Sequence, residues 1–297
     1  MQSCIVHIGL TKAASSTLQE FFKRHPSVHL VDMWHTCNLF VPRNGLLYDA
    51  AGTADYFLRE VESAHQAGKI GIVSHERLAG SPHSGHYDVV TIAHRIHDIF
   101  PQAKVVICIR EQMRMLASCY KQYIRAGGSA TLKEYLLPLW DHRVPRFEWK
   151  FYCYFDFLNY YFKLFGQQNV LVVLVEELEQ NPARFFHSLT EFMELGWDDS
   201  LTVSEVINKG IPDTEINRQR CENFFADLPF SVKDHNIFSS RPWLNRMLKW
   251  LGTNLLGDEE INAVEATRAL FAGHFAEDNR RTGELISKDL GTLGYEV

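Results

Sequence analysis

The chain has 297 residues, 46% of them apolar, so its length suits one large domain with a sizeable core. Its formal net charge is -6 and its sequence pI about 6.2, which excludes a general nucleic-acid or anionic-membrane binder, since those need a basic surface. An anionic ligand must then be held by local donors.

Taken in chain order, residues 4–8 form a short apolar run that reads as a buried strand. No basic segment with a long apolar stretch precedes it, so no signal peptide is expected. A helix follows from near Ser16, with Leu18, Phe21 and Phe22 on one face. Residues 33–50 read as an irregular loop. Residues 69–74 are a second strand, ending in Ser74-His75-Glu76, and residues 103–109 are a third, closing on Arg110. The next helix places Met113, Leu116, Tyr120 and Tyr123 or Ile124 on one face. The aromatic-rich stretch 147–165 predicts one long helix. Residues 170–175 are a fourth strand, followed by Glu176 and Glu177. A helix then starts with Asn181 as N-cap and Pro182 in the first helical position, with Phe185, Phe186, Leu189, Phe192 and Met193 as its apolar stripe. From about Ile211 the chain reads as helical, with turns at Pro229, Pro242 and Gly257.

Apolar strands alternating with amphipathic helices indicate an α/β protein: a P-loop-type parallel sheet flanked by helices, with a helical C-terminal section. No repeat or linker interrupts it, so residues 1–297 are read as a single domain. In such sheets ligands sit at the carboxyl ends of the strands, which makes the residues just after each strand the informative ones. The six cysteines show neither C-x-x-C spacing nor zinc-ligand spacing, so they read as small, mostly buried thiols in a reducing cytoplasm, and no metal is expected.

Residues 9–17, Gly-Leu-Thr-Lys-Ala-Ala-Ser-Ser-Thr, join the first strand to the first helix. A loop there offers backbone N–H groups at Ala13 and Ala14 where helix partial charge is positive. Lys12 adds a full charge, and Ser15, Ser16 and Thr17 add hydroxyls; together they suit a tetrahedral anion. The ordinary alternative is a strand–helix turn with Ser15 or Ser16 as N-cap. The loop is not a Walker A sequence: its lysine precedes the hydroxyls and no glycine lies between Lys12 and Thr17. That argues against a P-loop kinase.

Residues 5–19 resemble the 5′-phosphosulfate loop of bacterial sulfotransferases that use 3′-phosphoadenosine 5′-phosphosulfate (PAPS), in which Pro-Lys-x-x-(Ser/Thr)-(Ser/Thr)-Thr follows the first strand. The resemblance implies that Lys12 contacts the phosphosulfate bridge and that Ser15, Ser16 and Thr17 hold the 5′-phosphate. Thr11 stands where proline is usual and Ala14 where glycine is frequent. Arg110, at a strand's carboxyl end, has a planar fork suited to phosphate, and Ser118 follows eight positions later. Each alone is common; together they resemble the family's 3′-phosphate motif. Residues 170–195 and the tail from Phe275 to Tyr295, with Asp278-Asn279-Arg280, also resemble family members, the acidic turn at Glu176 and Glu177 being structural there.

Sulfuryl transfer needs positioning, charge stabilisation and a base, and no metal. Lys12 is the expected stabiliser of the leaving phosphate. Glu76 and His75 follow the second strand, and Glu76 is preferred as base because residues 73–78 resemble the S-x-E-x-L segment of carbohydrate-type members. A solvated loop with a Glu76–Arg77 or longer-range ion pair is the plain alternative. The implied donor is PAPS and the acceptor a hydroxyl of a carbohydrate or glycolipid. The acceptor pocket is expected from residues 33–50, 78–88, 143–165 and 211–245. The amphipathic, locally basic stretch 242–251 reads as core packing ahead of membrane contact. Two rival readings are a nucleotide or small-molecule kinase and a non-catalytic nucleotide-binding protein of the same fold.

Overall fold

The computed structural model describes residues 4–139, 144–203, 210–226 and 261–297. Contacts divide the chain into two compact units: Met1–Gln112, Lys150–Asn208 and Gly273–Val297 form the first, Met113–Trp149 and Lys209–Ala272 the second.

The first unit holds a parallel sheet of five strands: β1 (Cys4–Gly9), β2 (Val28–Leu30), β3 (Ile70–His75), β4 (Lys104–Ile109) and β5 (Val170–Leu174), in the order β2-β3-β1-β4-β5. The four expected strands are present, each within a residue of its predicted bounds. The edge strand β2 was not expected; at three residues it is too short to show a period. β1, β3 and β4 are almost wholly buried, which is why they read as continuous apolar runs. Register fixes the site: Ile8 lies opposite His75, and Gly9 opposite Cys108. The chain crosses from one side of β1 to the other between β3 and β4, so the crevice at the carboxyl ends of these three strands is the topological switch point.

Helix α1 (Ser15–Arg24) buries Leu18, Phe21 and Phe22, as its spacing predicts. The segment read as an irregular loop contains α2 (Met33–Phe40), started by Asp32, whose carboxylate accepts the His35 amide at 2.8 Å. Only Thr36 and Phe40 of α2 are buried, so its periodicity is faint in sequence. α3 (Ala50–Gln66) buries Thr53, Phe57, Val61 and Ala64, and Phe57 stacks on Phe40 with centroids 4.6 Å apart. α4 (Val89–Ile99) precedes β4.

α5 (Gln112–Arg125) leaves β4, and α6 (Leu132–Leu136) follows in the second unit, opened by a capping box between Thr131 and Glu134. That unit also holds α10 (Asp213–Ala226) and α11 (Ala263–Phe271), and in it buried Tyr135 stacks on half-buried Tyr123.

The long aromatic helix is corrected to a 3-10 turn at Trp149–Tyr152 followed by α7 (Tyr154–Phe165). Aromatic side chains have no strong helix preference. Here Phe151 stacks face to face on buried His86, 3.6 Å away, and the chain is extended at Cys153. Beyond β5 lie α8 (Val175–Gln180) and α9 (Pro182–Met193), whose N-cap is Asn181, accepting the Arg184 amide at 3.0 Å. α12 (Ala276–Ile286) and the tail complete the first unit. The turns expected at Pro229, Pro242 and Gly257, and the amphipathic stretch 242–251, lie outside the described residues. Among the described residues no helix is long and apolar enough to cross a membrane.

Candidate functional site

Gly9 ends β1 where the backbone has no room for a side chain. A Cβ there would sit 2.6 Å from Ser15 Oγ and 3.2 Å from the Glu76 Cα. The loop, its hydroxyl cluster and the Glu76 backbone therefore converge on one point. Gly9→Ala is expected to destabilise the fold by about 1–3 kcal/mol, as overpacking against backbone does. Its denaturation midpoint checks this; an unchanged midpoint would show that the loop yields freely.

The loop passes twice through the left-handed region, at Lys12 (φ 72) and Ala14 (φ 55). For residues with a side chain this costs about 1–2 kcal/mol each, so the surrounding contacts must enforce it. Such backbone gathers successive N–H groups into a concavity suited to an anion. It also explains glycine's frequency at the position Ala14 holds. The N-cap of α1 is Ala14, with no side-chain cap, so neither Ser15 nor Ser16 is the capping residue. Ser15 instead donates its hydroxyl to the Leu10 carbonyl at 3.2 Å. Ser15 and Thr17 are buried, and Lys12 and Ser16 partly exposed.

Arg110 is half-buried at the end of β4, and its Nη1 donates to the Lys12 carbonyl at 3.3 Å. The structure thus joins the two motifs that sequence places almost a hundred residues apart. Ser118 lies half-buried on α5.

His75 and Glu76 leave β3 beside this loop. The His75 Nδ1 accepts the Arg77 amide at 3.0 Å, capping the 3-10 turn Glu76–Ala79. An accepting Nδ1 carries no proton, so the neutral ring bears its hydrogen on Nε2. Burial, the largest influence, lowers the His75 pKa below the usual histidine value; Glu76 opposes this and Arg77 adds to it. His75 is therefore a neutral donor at neutral pH. The Glu76 side chain is 47% exposed and its carboxylate lies 3.8 Å from His75 Nδ1, beyond hydrogen-bond distance. Arg77 pairs with Asp88 at 2.8 Å, not with Glu76 as the plain alternative had it.

Beneath the crevice lies a buried polar chain that the sequence reading did not single out. Gln19 donates to Ser74 Oγ at 3.2 Å, and Ser74 Oγ lies 2.8 Å from His7 Nδ1. It joins α1, β3 and β1. His7 is wholly buried, which pushes its pKa down to about 3 and keeps it uncharged. A histidine inside an apolar strand was the one available signal. The acidic turn is structural in part: Glu177 pairs with Lys288 at 2.7 Å and Glu176 accepts the Glu111 amide at 3.1 Å. No group of three or more metal-ligating side chains occurs among the described residues.

Residues 88–199 match the model of the sulfotransferase family. The matched segment contains Arg110, Ser118 and the β5–α9 region, and stops short of the Lys12 loop and Glu76, whose place in the site rests on the geometry above. No curated protein sequence matches this chain. Its fold is similar to that of a sulfotransferase from Alicyclobacillus acidocaldarius, at 17% identity, covering 99% of each chain with a TM-score of 0.60. The sulfotransferase domain of the Synechococcus PCC 7002 olefin synthase aligns at 13% identity over 82% of this chain and 94% of its own, with a TM-score of 0.46.

Proposed function

We propose that this chain is a sulfotransferase that takes its sulfuryl group from PAPS and passes it to a hydroxyl or amine of an acceptor, a carbohydrate or glycolipid by the likeness of residues 73–78 to carbohydrate-type members, with residues 1–297 acting as one catalytic domain in the cytoplasm. The observation that carries this reading is the contact of Arg110 with the Lys12 loop at the sheet's switch point. On this reading the Ala14 amide with Ser16 and Thr17 holds the 5′-phosphate, the Ala13 amide and the Ser15 hydroxyl both being given to the Leu10 carbonyl, and the resemblance assigns Arg110 and Ser118 to the 3′-phosphate.

In the reaction, the acceptor oxygen forms a bond to sulfur as the sulfur–oxygen bond to the 5′-phosphate breaks. The electron pair leaves on the phosphate oxygen, where Lys12 balances the new charge. Glu76 takes the acceptor's proton. His75, with hydrogen on Nε2, acts as a donor to the acceptor rather than as base. No step calls for a metal.

Adenosine 3′,5′-bisphosphate, the donor product, is expected to raise the melting temperature far more than ADP, because a ligand at about 100 times its Kd stabilises by ~2.7 kcal/mol. Arg110→Ala should remove most of that preference. Equal stabilisation by ADP in the wild-type protein would reject the donor assignment.

A further inference from the structure

Three consecutive residues at the carboxyl end of β4 are each held by a different part of the first unit. Tyr154 donates its hydroxyl to the Arg110 carbonyl at 2.7 Å. The Glu111 amide donates to Glu176 Oε1 at 3.1 Å, and the other oxygen of that carboxylate accepts the Tyr295 hydroxyl at 2.9 Å. Gln112 and Asn279 meet amide to amide: Gln112 Nε2 donates to Asn279 Oδ1 at 2.6 Å, and Asn279 Nδ2 donates to Gln112 Oε1 at 3.1 Å.

These groups are buried: Asn279 is 0% exposed, Gln112 1%, Tyr295 3% and Glu176 5%. Asn279 also donates to the Glu296 carbonyl at 2.8 Å, and the Glu296 carboxylate accepts the Gly273 amide at 2.6 Å, closing the tail onto the start of its own segment. Apolar packing alone would satisfy the burial of this region. Buried polar groups add a condition that packing lacks, because only one arrangement pairs them and any other leaves them unpaired. The tail thus specifies one backbone geometry at Glu111 and Gln112, the two residues that follow Arg110.

We propose that the C-terminal segment 273–297 is a positioning element for donor recognition, in which Asn279 and Tyr295 set the backbone after β4 and so fix the aim of Arg110 at the donor's 3′-phosphate. The inference rests on the donor reading above. A planar guanidinium discriminates only when its fork meets the phosphate squarely, within about 0.5 Å and 10–20°. A tail that shapes this turn therefore governs selectivity for the 3′-phosphate, and acts on the 5′-phosphate loop less directly, through the contact of Arg110 with the Lys12 carbonyl.

The test compares binding of adenosine 3′,5′-bisphosphate and adenosine 5′-phosphate by calorimetry in the full-length wild type, Asn279→Leu and Tyr295→Phe. Arg280→Ala is the control: Arg280 lies on the same helix but, among the described residues, its ion pairs are with Glu277 and Glu284 on the exposed face. Each of the two tail variants is expected to bind the bisphosphate about tenfold more weakly, equivalent to about 1.4 kcal/mol. Both should bind the monophosphate within about twofold of wild type. The control should change neither value. General destabilisation would lower both affinities together, and that result overturns the proposal. If Asn279→Leu does not fold, Tyr295→Phe decides the matter, since it removes a single oxygen. A wild type that discriminates, with a folded Tyr295→Phe that discriminates equally, overturns this inference alone. A wild type that binds both nucleotides alike overturns the donor reading and this inference with it.

Discussion

Lys12→Ala is expected to leave the protein folded while sulfuryl transfer falls by about two orders of magnitude or more. The expectation separates two quantities. Lys12 is partly exposed on a loop, where removing a charge changes stability by only about 0–1 kcal/mol. Its backbone already sits at φ 72, and alanine adopts that conformation no more readily than lysine, so the substitution adds no strain and relieves none. A charge placed against the leaving phosphate acts differently. The bridging oxygen gains negative charge only as the bond to sulfur breaks, so the ammonium interacts more strongly with the transition state than with bound donor. Removing one such donor costs about 3 kcal/mol of barrier, and each 1.36 kcal/mol is about tenfold in rate. The measurement is turnover beside a thermal melt. Near wild-type turnover would remove Lys12 from the chemistry. A collapsed melt would assign it to the loop's architecture.

Glu76→Gln is expected to lower turnover by about 100-fold or more, with binding of adenosine 3′,5′-bisphosphate unchanged. Glutamine keeps the shape and removes the base. The contrast that gives this test its force is His75→Asn. The His75 ring holds the Arg77 amide at 3.0 Å, so alanine there would remove a cap as well as a titratable group. Such a cap contributes about 1 kcal/mol to stability. Asparagine restores an acceptor and carries no base, so His75→Asn should retain most of the activity. If His75→Asn is inactive and Glu76→Gln is active, the base is His75. A small alcohol or phenol would then be a better acceptor than a sugar. If both variants are active, the acceptor sits elsewhere. The pH dependence supplies a second check. Burial lowers the pKa of His75, so from neutral pH upward the ring stays neutral and no histidine limb should appear in the alkaline half of the profile.

Much of the strand framework around this candidate site was legible before any coordinate. A lysine followed by three hydroxyls between an apolar run and an amphipathic helix suits a loop for an anion, and an arginine closing a buried strand suits a second. Both signals are local, and both depend on strands buried on two faces, which keep a continuous apolar spelling. The helix α2 was not legible, because a helix with only Thr36 and Phe40 buried shows too little period to separate it from a loop. The break ahead of α7 was hidden for a different reason. Aromatic residues fit a helix and a stacked turn equally well, and only His86, whose ring lies against Phe151, decides between them.

By itself the sequence determined the fold class, the four main strands and the residue types that face the crevice, because burial periodicity and turn chemistry act over a few neighbouring residues. Tertiary structure decided what those residues do to one another. It set β1 between β3 and β4, so that Gly9, Glu76 and Arg110 leave adjacent strand ends. It turned the His75 ring so that its Nδ1 accepts the Arg77 amide. It also brought Asn279 to Gln112 and Tyr295 to Glu176, partners more than a hundred positions apart. A hydrogen bond between such partners leaves no periodic trace in the chain, since either residue alone reads as an ordinary polar side chain, and only burial of both in one place makes their pairing obligatory.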